Sequence, residues 1–294
     1  MVEFDIEVYQ EKDTLRGAIV YPTGITDTSA PVVLIIAGSG ATDRDGNNPV
    51  MTNNSLLLLS TELAKYKIAS IRYDKRGVGA SRNAFIPEID LRFEQNVADA
   101  QLFLDYLTAA GYSNIIVAGH SEGSLIGMLL TKNNPEKIKK YISLAGAGRP
   151  IGTVLNEQYQ STMPVIRDSV KVVINNLEQG ITMDTISPWL YSVFRPNIQQ
   201  YMISWMQYDP AKVFSSIKTP SLIVQGNTDI QVSATDADLL KEGNIDAQLV
   251  VIDQMNHIFK SVSADLTENK KTYTDPNLPV HPELILTLVQ FIRD

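Results

Sequence analysis

The chain has 294 residues, a 44% hydrophobic composition, a formal charge of -8 and no cysteine. A core of that size suits one large domain with an insertion. The missing cysteines exclude disulfides, thiolate metal sites and a cysteine nucleophile, and the net negative charge sets the chain against nucleic acid and acidic membranes as partners.

No apolar run approaches the roughly 18 residues that span a bilayer, so no membrane span is expected. The opening Met1-Val2-Glu3-Phe4-Asp5 is neither basic nor followed by an apolar signal core, which points to a cytoplasmic protein, although a chain whose leader had been replaced by a methionine would read the same. Val2, Phe4, Ile6 and Val8 alternate with polar residues, and Leu15 to Tyr21 follows after a short turn, which predicts an antiparallel hairpin at a sheet edge. Val32 to Ile36, Ile68 to Tyr73, Ile115 to Ala118, Tyr141 to Leu144, Leu222 to Val224 and Leu249 to Ile252 read as parallel strands buried on both faces. Ser55 to Tyr66, Gln95 to Ala110, Ser121 to Asn133, Asp236 to Lys241 and Glu283 to Arg293 have the spacing of crossover helices.

Between Ala147 and Ser215 the alternation stops, and three or four helical segments follow without a strand. The reading is a core made of residues 1–146 and 216–294, a doubly wound α/β sheet, with residues 147–215 as an inserted helical cap. Pro164 opens a helix that Gly180 closes, and Ile198, Tyr201, Met202, Trp205 and Met206 recur at helical spacing. Most of that stripe is expected to pack on the core, with Trp205, Met206 and Trp189 forming the apolar wall of an acyl pocket.

The most informative stretch is Gly119-His120-Ser121-Glu122-Gly123, set between a β-branched run and a helical pattern. This is the strand–turn–helix context of a nucleophile elbow, in which glycines two residues either side make room for a strained serine. A serine hydroxyl needs a base to take its proton and a carboxylate to orient that base. Of the three histidines, His120 adjoins the nucleophile and is expected to point away from it, and His281 lies in a proline-bracketed loop leading into the last helix. His257 follows the last strand, at the sheet edge where open α/β folds place functional groups, and is read as the base. Asp229 follows Leu222 to Gly226 on the same edge and is read as the acid, ahead of Asp253, while Asp236 and Asp238 read as solvated helix charges. The order Ser121, Asp229, His257 is that of α/β-hydrolases.

An oxyanion needs two amide donors, assigned to Glu122 N–H at the helix start and Ser39 N–H in Ala37-Gly38-Ser39-Gly40, with Gly38 the neighbouring choice. The third glycine of a dinucleotide fingerprint is missing, as are a phosphate-loop Gly-Lys-Ser/Thr and a close histidine pair for zinc, so no metal or organic cofactor is expected.

With these motifs in place, the chain resembles bacterial carboxylesterases of the α/β-hydrolase superfamily, the EstD-like, serine aminopeptidase-like group. Gly38-Ser39-Gly40-Ala41-Thr42-Asp43-Arg44-Asp45-Gly46-Asn47 is similar to that group's His-Gly-Ser-Gly-Pro-Thr-Asp-Arg-Asp-Gly-Asn loop. Arg72 to Ser81 is similar to its Asp-x-Arg-Gly-x-Gly-x-Ser turn. Ala37 stands where the group has histidine, and Ala41 where proline is usual. Asp74 and Arg76 read as a buried pair bracing the turn. Asp43, Arg44 and Asp45 read as a loop-fixing network, with Arg44 meeting a substrate carboxylate as the alternative. The resemblance implies an enzyme that cleaves small-molecule esters through an acyl-enzyme, with an aminopeptidase or acyl-peptide hydrolase as the enzymatic alternative, and the partly polar cap points to short to medium acyl chains. A noncatalytic binding protein is the reading from a different class, and it would be expected to lack a triad member, whereas Ser121, Asp229 and His257 are all present.

Overall fold

The computed structural model describes residues 1–10, 13–24 and 27–294, so the hairpin turn at residues 11–12 lies outside the described residues. Its strands are β1 Val2–Gln10, β2 Asp13–Tyr21, β3 Val32–Ile36, β4 Ala69–Tyr73, β5 Ile115–His120, β6 Ile138–Leu144, β7 Ser221–Gly226 and β8 Gln248–Ile252. They form one sheet in the order β1-β2-β4-β3-β5-β6-β7-β8. β1 pairs with β2, and β2 with β4, antiparallel, whereas every pair from β4 to β8 is parallel.

The helices are α1 Ser55–Lys65, α2 Phe93–Ala109, α3 Glu122–Asn133, α4 Ile151–Gln158, α5 Pro164–Glu178, α6 Tyr191–Phe194, α7 Gln199–Met206, α8 Pro210–Phe214, α9 Ala234–Gly243, α10 Leu266–Thr272 and α11 Pro282–Arg293. Strand alternation sorts the core into two layers. Val33 and Ile35 of β3 pack with Leu59 of α1 and Leu288 of α11, while Leu34 and Ile36 pack with Phe103 of α2 and Ile126 of α3. Burying one such side chain stabilises the fold by about 1.5–3 kcal/mol, so parallel strands covered on both faces become continuous apolar runs.

β8 departs from the expectation of strands buried on both faces, since Val251 is 45% exposed. It is the outer strand, paired only with β7, and part of it meets solvent. α10 was not anticipated, because Leu266-Thr267-Glu268-Asn269-Lys270-Lys271-Thr272 carries a single apolar residue. Its start is fixed by the Asp265 side chain, which accepts from Glu268 N–H at 2.9 Å. α4 to α8 lie between β6 and β7 with no strand among them. Among the described residues no helix is long and apolar enough to cross a membrane.

Strand order reverses at β3, whose neighbours are β4 on one side and β5 on the other. The crevice beyond the C-terminal ends of β3 and β5 is therefore the sheet's topological switch point, where open α/β sheets bind ligands.

Candidate active site

Ser121 sits between β5 and α3 with φ 55° and ψ -119°, a backbone conformation that costs of the order of 1–3 kcal/mol outside glycine. Close packing imposes it. A Cβ on Gly119 would lie 2.1 Å from the Gly123 carbonyl oxygen, and one on Gly123 would lie 2.3 Å from that of Ile36. Only glycine allows the end of β5, the first turn of α3 and the end of β3 to meet so closely. Ser121 N–H donates to Leu144 O at 2.9 Å, and the residue lines a cavity above the sheet edge.

Asp229 and His257 come from the loops after β7 and β8. His257 Nδ1 donates to Asp229 Oδ2 at 2.7 Å, with both side chains buried. Donation through Nδ1 leaves the lone pair on Nε2, as a general base requires. Asp229 Oδ2 also accepts from Gln225 Nε2 at 3.0 Å, and Oδ1 accepts from the amides of Gln231 and Val232 at 2.7 and 2.9 Å. Burial pushes this carboxyl's pKa up, but His257 and the two amides outweigh it and hold the carboxyl below its usual range. Among the described residues, the hydrogen bonds of His257 run to Asp229 and from His120, and none reaches Ser121.

The His257 loop is held by polar side chains. Asn256 Oδ1 accepts from Lys260 N–H at 2.9 Å, and its Nδ2 donates to Asn269 Oδ1 and Thr272 Oγ1 on α10. Asn269 Nδ2 donates in turn to Thr228 O at 2.7 Å. One buried amide thus joins the residue before Asp229 to the residue before His257. His120 packs against His257, with ring centroids 4.8 Å apart. Its Nε2 bonds the His257 carbonyl at 2.9 Å, and since a carbonyl only accepts, Nε2 carries the proton. Burial and the neighbouring His257 lower the His120 pKa to about 3, so this ring stays neutral. His281 caps α11, its Nδ1 accepting from Glu283 N–H, and Asp253 accepts from Asn227 Nδ2 at 2.7 Å.

Gly38 lies against Ser121, since a Cβ there would stand 3.2 Å from Ser121 Cβ. Ser39 and Glu122 both line the cavity with Ser121, and Glu122 N–H heads α3, where a helix leaves its first amides without internal partners. The Gly38 carbonyl accepts from Lys75 Nζ, and the Ser39 carbonyl accepts from Thr42 Oγ1 at 2.8 Å. Lys75 Nζ also donates to Glu122 Oε2 at 2.7 Å, and Tyr201 OH donates to Glu122 Oε1. Sequence reasoning gave neither residue a place here, although Lys75 lies inside the Arg72-to-Ser81 turn and Tyr201 on the helical stripe it had singled out.

The Asp74 and Arg76 side chains are each buried but do not pair with one another, which corrects the expectation. Asp74 binds Arg44 and the Ala80 amide, while Arg76 binds Asp99 and Asp13. Arg44 also reaches Asp5 and the Gly17 carbonyl, Asp43 accepts from the amides of Asp45 and Asn47, and Asp45 pairs with Arg72. The Asp43-Arg44-Asp45 segment is therefore a loop brace. Asp236 corrects another reading, being fully buried and paired with Arg149 at 2.6 Å rather than solvated.

The cavity has a volume of about 470 Å³. Leu125 and Val232 contribute to its wall from the sheet side, and Val154, Leu155, Met202 and Trp205 from the helices between β6 and β7. Trp205 stacks on Phe93 with ring centroids 5.8 Å apart. Trp189 is 72% exposed and does not line the cavity, because its short helical turn buries Leu190 instead. Met206 is half-buried against the core and also lies outside the lining, as does Gly38, whose contribution is its close approach to Ser121. Among the described residues no group of three or more His, Asp or Glu side chains is placed to hold a metal ion.

Comparison with known proteins agrees with this architecture. Esterase EstD of Thermotoga maritima is 26% identical over 87% of this chain, and the chain spans 62% of that relative's length. Est1E from Butyrivibrio proteoclasticus, in a structure with ferulic acid bound, superposes with a TM-score of 0.68 at 18% identity, covering 98% of this chain and all of the other. Proline iminopeptidase of Mycobacterium smegmatis superposes with a TM-score of 0.62 at 11% identity, covering 99% and 98%. The family profile Hydrolase_4, described as serine aminopeptidase, S33, matches residues 54–261, and with the elbow and the sheet order this makes the chain an α/β-hydrolase of that family.

Proposed function

We propose that the chain is a serine carboxylesterase acting on small-molecule esters of short to medium acyl chain. Ser121 is the nucleophile, His257 the base and Asp229 the acid that orients it. His257 Nε2 takes the Ser121 proton as Oγ attacks the ester carbonyl carbon, and the tetrahedral oxyanion rests on the amides of Glu122 and Ser39. The alcohol leaves with the proton from His257, and water then repeats the sequence to release the acid. Residues 147–215 serve as a cap over a core of residues 1–146 and 216–294, and the sharing of the cavity wall between the two supports that division.

The observation that carries the reading is the 2.7 Å bond between His257 and a buried, fully hydrogen-bonded Asp229, on the sheet edge where Ser121 opens onto the cavity. A cavity of about 470 Å³ is in the lower half of the usual range for small-ligand sites, which supports modest acyl groups over long lipid chains. The family description and the iminopeptidase likeness raise amide cleavage, but a free peptide amine would need an unpaired carboxylate. Among the described lining residues the carboxylates are Glu88 and Glu122, and each is paired, with Arg195 and Lys75. The test compares wild type with Ser121→Ala on p-nitrophenyl esters of increasing chain length and on aminoacyl anilides. Ester turnover that peaks at short to medium chains and vanishes in the variant is expected. Anilide turnover without ester turnover would move the chain to the peptidases, and silence on both would leave a binding protein.

A further inference from the structure

The Lys75–Glu122 ion pair includes one of the two residues whose amides are assigned to the oxyanion, Glu122, and it is hydrogen-bonded to Gly38, the residue before the other, Ser39. Lys75 Nζ donates to Gly38 O, and the Gly38 carbonyl and the Ser39 N–H belong to one peptide unit. No peptide bond of the described chain is cis, so the two groups of that unit point in opposite directions. An ammonium that holds the carbonyl on one side turns the N–H to the other and polarises it. Thr42 Oγ1 pins the next carbonyl, and Asp74, which binds the Arg44 and Ala80 amides, fixes the loop that carries Lys75.

Glu122 poses a complementary problem. Its side chain is buried, at 1% exposure, and belongs to the residue next to the nucleophile, so an uncompensated carboxylate there would oppose the developing oxyanion. Lys75 supplies the opposite charge at 2.7 Å, and Tyr201 from α7, itself bonded to Asn96 at 2.9 Å, satisfies the other carboxylate oxygen. Asn96, Tyr201, Glu122, Lys75 and Gly38 O therefore form one hydrogen-bonded chain from the cavity wall to the oxyanion loop.

Given the esterase reading, we infer that Lys75 is a positioning residue that aims the Ser39 N–H at the oxyanion and cancels the Glu122 charge beside it. The test uses Lys75→Met and the double variant K75M/E122Q, with kcat and KM on p-nitrophenyl butyrate and Ki for an alkyl trifluoromethyl ketone, whose hemiketal oxyanion occupies the same amides. Lys75→Met lowers kcat by about 100-fold, the loss expected for one oxyanion donor, with KM within about threefold and Ki raised in parallel with the loss of kcat. K75M/E122Q, which leaves no unpaired buried charge, recovers about tenfold of that loss. It is also the variant that carries the test if Lys75→Met folds poorly by melting temperature. A kcat within threefold of wild type in both variants, or a fall in kcat without a matching rise in Ki, overturns the inference. Failure of the esterase reading is distinguishable, because wild type would then show no ester turnover that Ser121→Ala abolishes, and the inference would fall with it.

Discussion

The two halves of the site are built by different means. The Ser121 half, at the ends of β3 and β5, is fixed by backbone contact: Gly119, Gly123 and Gly38 bring three chain segments closer than any Cβ permits or tolerates easily. The Asp229–His257 half, at the ends of β7 and β8, is fixed by side chains, with Gln225 on Asp229 and the Asn256–Asn269–Thr272 group beside His257. Backbone contact leaves almost no tolerance, whereas a hydrogen-bonded framework loses strength one bond at a time.

That contrast can be broken first on the Ser121 side. Gly119→Ala forces a methyl to within 2.1 Å of a carbonyl oxygen, and denaturant unfolding should show a loss of at least about 4 kcal/mol together with loss of activity. An alanine variant of native stability would mean that the elbow relaxes freely. On the other side, Asp229→Asn keeps the shape but removes the charge and lets His257 adopt the wrong tautomer. A drop in kcat of about 10⁴-fold with the fold intact is the expected outcome.

Asn269→Ala is milder and tests the framework itself. It strips partners from Asn256 and from the Thr228 carbonyl, so a destabilisation of about 1–3 kcal/mol and a kcat lowered about tenfold at nearly constant KM are expected. A stability loss with unchanged kcat would make α10 a support of the fold alone.

At neutral pH the smallest effect is that of His120, which shows only as pH falls. The folded protein keeps His120 neutral down to about pH 3, whereas the unfolded chain protonates it near 6.5. Between those values the unfolded state binds more protons, so His120 contributes stability that is present above pH 6.5 and lost as pH falls toward 3. The depressed Asp229 carboxyl acts in the same direction, its contribution disappearing on acidification below the ordinary carboxylate range. His120→Asn should flatten the curve of unfolding free energy against pH by up to about 1.4 kcal/mol per pH unit across that window. An unaltered slope would mean that the ring is hydrated rather than buried.

The same contrast explains what could be read from the sequence. Glycine spacing around Ser121 and apolar runs of strand length announce backbone constraints, and the sheet, the hairpin and most crossover helices follow from them. That Asp229 and His257 meet was legible because each follows a strand whose C-terminal end lies on the same sheet edge. Their supports were not. Asn269 sits in a seven-residue helix with one apolar residue, and nothing in its neighbourhood signals that it joins two loops. Charge partners were equally hidden. Asp74 meets Arg44 rather than Arg76, and Asp236 meets Arg149, because pairing is decided by which loops the topology brings together. Trp189 shared the apolar character of a pocket residue, yet its turn buries Leu190 and leaves the indole in solvent.

The central claim is that Ser121 is the nucleophile of an ester-cleaving triad. Reaction with a fluorophosphonate, followed by peptide mapping and a parallel esterase assay, tests it most directly, since only an activated serine is phosphonylated rapidly. A single adduct on the Ser121 peptide, formed in step with the loss of ester turnover, is the result predicted. An adduct on another residue, or full turnover after stoichiometric labelling of Ser121, would contradict it.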